Sequence, residues 1–202
     1  VGVPGLVLAL LYLKVRDYDT VKLAPGLDAK RKSLGETVKH IARIMARCLL
    51  YNAGDGGLSL IDRFETGGSG TCHLTLSPDG RYVFAANYSS GSLFGVEVDG
   101  QGRFGRQTTF IQHQGSGPYP KRQQGPHAHF VSFLPDGEHL LCCDLGIDRV
   151  LPRYHPADGS LTPDKALDIA LPAGEGPRHF ACTPDGRHLY IAGELSSNVL
   201  HY

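Results

Sequence analysis

The chain has 202 residues, 41% of them hydrophobic, and 20 Lys plus Arg balance 20 Asp plus Glu, for a formal net charge of zero. That length can bury one core or a modest array of repeats. The balance lacks the basic surplus that nucleic-acid or anionic-membrane binding draws on, so neither partner is expected. Five cysteines form no CxxC pair and no disulfide framework, which points to a reducing, cytoplasmic setting.

At the N-terminal end, the apolar run GLVLALLYL (residues 5–13) is shorter than the roughly 20 residues that span a bilayer. It lacks the basic flank and cleavage site of a signal peptide. Ser33 and Glu36 have the spacing of a helix capping box, and Val38, Ile41, Met45 and Cys48 follow at helical spacing. The pattern predicts a helix over 34–49, in a segment (1–48) that stands apart from the rest.

From residue 49 the pattern becomes β. Residues 51–57 resemble 87–91, and 58–64 reads as an outer strand. No Pro-Asp-Gly hairpin precedes Tyr51, so this first unit is expected to lack its leading strands. Then one unit recurs three times: TCHLTLSPDGRYVFAAN (71–87), QGPHAHFVSFLPDGEHLLCCD (124–144) and PRHFACTPDGRHLYIAGEL (177–195). Each copy has a polar entry, a strand, a Pro-Asp-Gly turn and an apolar strand. Pro78 and Pro135 are 57 residues apart, and Pro135 and Pro184 are 49 apart. Self-similarity at such a period, with strands inside each unit, is the signature of a β-propeller. The expectation is an all-β chain whose residues 49–202 form a partial propeller, with about two complete blades and partial ones beside them. Pro152 interrupts a strand and predicts an edge or a bulge there. An open arc leaves unpaired strand edges, so self-association is expected.

The repeat also collects polar groups. His73, His129 and His179 open first strands, and the hairpin turn brings the ends of the second strands, Asn87, Asp144 and Glu194, back to the same level. Glu194 should then lie near Arg178 and His179, and Asp144 near His127 and His129. The long loop 112–125 delivers Lys121 and Arg122 to that mouth. A ring of His, Arg and carboxylate suits a small anionic substrate. For His73 the favoured reading is structural. His127 and His129 divide evenly between structure and substrate chemistry, and Arg178 with Glu194 also reads as a plain salt bridge. A zinc site on His127, His129 and Asp144 lacks a fourth ligand at a standard spacing, so no metal or other cofactor is expected. No serine or cysteine nucleophile is nominated by any motif.

The stretches 66–92, HQGSGPYPKRQQGPHAH (113–129), 135–150, 155–163 and 176–199 together resemble the lactonase family of β-propellers, which includes 6-phosphogluconolactonases and carboxymuconate cyclases. The resemblance implies a seven-bladed fold with its site at one channel mouth. It also implies a catalytic set of His127 or His129, Arg178 and Glu194, plus an arginine from a later blade that has no counterpart in this chain. The family usually carries Asn where this chain has Gly193. By the same resemblance the substrate is a small anionic sugar lactone, chiefly 6-phosphogluconolactone of the pentose phosphate pathway. Lys121, Arg122, His179 and Asp144 would be substrate contacts, and Glu194 a general base, or an acid for the leaving ring oxygen. A carboxymuconate-type cyclase and a non-catalytic binding propeller remain the alternatives.

Overall fold

The computed structural model describes residues 6–8, 47–52, 59–154 and 158–202. Four antiparallel sheets follow one another along the chain. The first is β1 (Leu6–Leu8), β2 (Arg47–Asn52) and β3 (Ser59–Glu65), in that order. The second is β4 (Thr71–Leu76), β5 (Tyr82–Asn87), β6 (Ser92–Val98) and β7 (Phe104–Gln112). The third is β8 (Ala128–Phe133), β9 (His139–Asp144), β10 (Arg149–Tyr154) and β11 (Thr162–Pro163), with β12 (Ile169–Ala170) also paired to β10. The fourth is β13 (Pro177–Cys182), β14 (Leu189–Gly193) and β15 (Val199–His201). Each sheet is an up-and-down meander, the blade of a propeller. A single 3₁₀ turn at Lys165–Leu167 is the only helical element among the described residues.

The Pro-Asp-Gly signal makes the same turn three times. At the first, the Gly80 amide donates to the Ser77 carbonyl at 2.9 Å, and Gly80 sits at φ 74°. Gly137 and Gly186 repeat that left-handed conformation at φ 72° and 70°, which costs a glycine nothing and other residues a Cβ clash. The aspartate closes the turn: Asp79 Oδ1 accepts from the Ser77 hydroxyl at 2.6 Å and the Arg81 amide at 3.1 Å.

The second strands β5 and β9 are buried on both faces because each is clamped between blades. In β5, Tyr82, Phe84 and Ala86 pack with Val131, Leu140 and Cys142 of the third sheet. Val83 and Ala85 pack with Phe94 and Val96, against Ile61 and Phe64 of the first. In β9, Leu141 and Cys143 turn the other way and meet Phe180, Leu189 and Ile191 of the fourth. Alternation along a strand thus divides its side chains between two inter-blade cores.

Three expectations change. Arg47, Cys48 and Leu49, placed at the end of a helix, belong to β2, where Arg47 faces Glu65 and Cys48 faces Phe64 across the ladder. The rest of that helix lies outside the described residues. Pairing with β3 offers this stretch a full set of backbone hydrogen bonds, which outweighs its helical spacing. Second, Leu6–Leu8, from the segment expected to stand apart, pairs antiparallel with β2, Leu6 opposite Asn52. Third, of the edge or bulge expected at Pro152 only a local edge is found, since the register of β10 against β9 runs unbroken. The outer partner is split: β12 pairs with Arg149 and Val150, β11 with Arg153 and Tyr154. Proline, which has no N–H to donate, falls in the gap.

Candidate functional site

The first strands lie innermost, β4 beside β8 and β8 beside β13, and all three begin with a bulge. The register shifts fall between Thr71 and His73, Ala128 and Phe130, and Pro177 and His179. Cys72, His129 and Arg178 are therefore the equivalent bulged residues, and His73, Phe130 and His179 the equivalent first residues after them. The expected alignment of His73, His129 and His179 does not hold: His129 stands six residues before its turn proline and the other two stand five before theirs, so its equivalents are Cys72 and Arg178. A bulge re-aims its extra side chain, and here it collects unlike groups from three blades.

The site has three levels. Lowest are His73, Phe130 and His179: His73 and Phe130 rings are 4.1 Å apart, Phe130 and His179 4.9 Å, His73 and His179 6.3 Å. Above them the buried His129 stands edge-on to His179 at 5.2 Å. Burial, the Arg178 charge and His179 hold the His129 pKa down to about 4, and its Nδ1 is enclosed without a partner. Burial and His179 likewise bring His73 to about 4, and burial with Arg178 lowers His179. These three imidazoles are neutral at physiological pH. Burial pushes the Cys72 thiol up to about 12, so it is inert as a nucleophile.

The top level is the first residue after each second strand: Tyr88, Leu145 and Glu194. Glu194 is gripped by two guanidiniums, Arg178 from its own hairpin and Arg122 from the loop between β7 and β8. Partial burial acts to raise its pKa, but the hydrogen bonds from Arg122 and Arg178 outweigh this and leave it below the usual value. Glu194 thus rests as the carboxylate at neutral pH, the state in which a general base begins. The expected nearness of Glu194 to Arg178 and His179 holds, since its charge also acts on His179. Lys121 is exposed on the same loop and makes no ion pair among the described residues.

Asp144 has a different task from the substrate contact expected of it. It is fully buried, its Oδ2 accepts a hydrogen bond from His113 Nδ1 at 2.7 Å, and its Oδ1 accepts from the His127 amide at 2.7 Å and the Gly146 amide at 3.0 Å. It clamps the segment carrying His127 and His129. Asn87, its equivalent, accepts from Thr66 and Thr71 at 3.0 and 2.7 Å. At the third equivalent, Gly193, a Cβ would come within 2.9 Å of a Glu175 carboxylate oxygen. Glu175, bonded to Ser196 and Asn198, does there what the side chain does elsewhere. Asp148 accepts from the Gly174 and Gly176 amides at 2.7 Å each, and from Gln123 at 2.8 Å, which fixes the approach to Arg178 and the Arg122 loop together.

Sequence reasoning missed Tyr88 and His113. Tyr88 carried a signal, since it stands one residue after Asn87 as Glu194 stands one after Gly193. His113 carried none. Among the described residues no group of three or more His, Cys, Asp or Glu could hold a metal ion, and no helix is long and apolar enough to cross a membrane.

Residues 44–202 match the family model for lactonase, a 7-bladed β-propeller. The chain is 33% identical over 145 residues to the 6-phosphogluconolactonase of Bacillus subtilis, covering 72% of this chain and 40% of that one. It is 32% identical over 184 residues to the 6-phosphogluconolactonase of Formosa agariphila, covering 90% and 52%. The structure of the Pseudomonas aeruginosa periplasmic gluconolactonase PpgL superposes with a TM-score of 0.72 at 34% identity, over 77% of this chain and 45% of that one. The chain therefore spans about half the length of the relatives it matches.

Proposed function

This chain belongs to the lactonase family of seven-bladed β-propellers, and from that premise we propose that its mouth hydrolyses an anionic sugar lactone, 6-phosphogluconolactone to 6-phosphogluconate. The observation that carries the reading is the Glu194 carboxylate held between Arg178 and Arg122 beside the 126–129 segment. The names of the Bacillus subtilis and Formosa agariphila relatives support the substrate class.

Hydrolysis needs a water made nucleophilic and an oxyanion stabilised. Water attacks the lactone carbonyl carbon as its proton passes to a base. The tetrahedral oxyanion then collapses, breaking the bond to the ring oxygen, which leaves with a proton. Arg178 spends one N–H on Glu194 and keeps others of its planar fork for the oxyanion, a task that a fixed guanidinium performs without reorganising. Arg122 and Lys121 supply cationic contacts for the substrate's remote anionic group. Two kinds of base stand at the mouth, the Glu194 carboxylate and the imidazoles of the 126–129 segment.

The test is release of acid from 6-phosphogluconolactone by the purified protein, measured above the spontaneous rate, with Arg178→Lys as control. Turnover that collapses in the variant supports the reading. Turnover of a muconolactone instead favours the cyclase, and tight binding of either compound without turnover favours a binding propeller.

A further inference from the structure

Tyr88 meets three groups of the site, His127, His129 and Arg122. Its ring stacks on the His127 imidazole, with centroids 4.6 Å apart and planes 17° from parallel. It meets His129 edge-on at 5.7 Å. Its carbonyl oxygen lies 2.9 Å from His127 Nδ1. Its phenol lies close enough to Arg122 to favour the charged guanidinium.

The carbonyl contact decides a proton. A carbonyl oxygen only accepts, so Nδ1 must be the N–H of the imidazole, and the lone pair is left on Nε2. His127 is partly buried, and Nε2 makes no hydrogen bond among the described residues. His129, by contrast, is 7% exposed and its unpartnered Nδ1 is enclosed. The two histidines of this segment therefore differ: His127 is held by a bond at Nδ1 that leaves Nε2 the bare acceptor, whereas nothing bonds the enclosed Nδ1 of His129 and no contact fixes its tautomer. The Asp144 oxygen on the His127 amide fixes the backbone beneath the ring, so ring plane and main chain are held from separate blades.

We propose that Tyr88 is a positioning residue which, through its carbonyl and its ring, presents His127 Nε2 as the proton acceptor of the site. The role rests on the lactonase reading. The attacking water gives its proton to Nε2 as its oxygen bonds to the carbonyl carbon, and the same proton passes to the ring oxygen as that bond breaks. Glu194, already shared by two guanidiniums, then serves to hold them in place.

The experiment has a readout that needs no activity. Long-range ¹H–¹⁵N spectra of the full chain labelled with ¹⁵N-histidine report the His127 tautomer. The expected result is protonated Nδ1 with bare Nε2, retained in Tyr88→Phe and mixed in Tyr88→Leu. In lactone assays Tyr88→Phe should keep kcat and raise KM a few-fold, about 2–5, through Arg122. Tyr88→Leu should lower kcat about 10-fold or more and shift the acidic limb of the pH profile. A wild-type His127 protonated on Nε2, or a Tyr88→Leu enzyme with unchanged kcat and pH profile, overturns the proposal. The expected tautomer in a protein without lactone turnover overturns the lactonase reading alone; the spectrum still supports Tyr88 as the group that orients His127.

Discussion

β9 and β14 are the same strand of successive blades, each following a Pro-Asp-Gly turn, yet their side chains have different fates. From Leu140 to Asp144, every residue of β9 is buried. β14 alternates: Leu189 and Ile191 are buried, whereas Tyr190 is 42% exposed and Ala192 is open. The difference lies in the neighbours. β9 has the second sheet on one face and the fourth on the other, and β14 has the third sheet on one face. A blade carries half of each core it belongs to, so an apolar strand declares what it can bury and the next blade decides whether it does. The ends of the two strands differ as well: β9 closes on Asp144, an internal clamp, and β14 on Gly193 and Glu194, which faces the mouth.

That contrast can be broken at several points. The largest effect is expected at Glu194. Glu194→Gln removes the anion that holds Arg178 and Arg122, and should cost lactone turnover on the order of 10²–10³-fold, as for loss of an oxyanion-stabilising group, while the denaturation midpoint hardly moves. Full turnover in that variant would show that the end of β14 is not chemical. Within the strands, Leu140→Ala should cost about 2–5 kcal/mol in urea unfolding, as a cavity between two blades. Tyr190→Ala should cost under about 1 kcal/mol; equal costs would sink the account of one-sided burial. Asp144→Asn weakens a charge-assisted bond to the buried His113 and should cost roughly 1–3 kcal/mol of stability. If Asp144→Asn instead left stability intact and raised KM, the substrate role first expected of it would return.

Smaller shifts are expected with pH. The folded-state pKa values of His73 and His129 lie near 4, below the ordinary 6.5. As pH falls below about 6.5 the unfolded chain takes up protons that the folded one refuses, so stability declines from there toward about 4. Melting temperature should follow that course, and more weakly in His73→Gln; a flat profile would remove these imidazoles from the buried set. The open face of the fourth blade, with Tyr190 and a 73% exposed Val199, is also expected to drive weak self-association, measurable by sedimentation and reduced in Val199→Lys.

The sequence by itself determined what is local. The Pro-Asp-Gly turns, the apolar second strands and the placing of Arg178 and Glu194 at one level all follow from the geometry of a hairpin, in which residues on either side of a turn return to the same height. Tertiary structure decided whatever needs a second blade. Residues 47–49 became strand because β3 offered them a ladder. That Cys72, His129 and Arg178 are bulged residues is seen only in the strand register, although their equal distance of six residues before the turn proline already marks them as equivalent. Asp144 is a clamp because His113, 31 residues earlier, comes to lie against it. Tyr88 orients His127 because the second and third blades meet there. Hairpin chemistry is written in neighbouring residues, and the contacts between blades depend on how the whole arc packs.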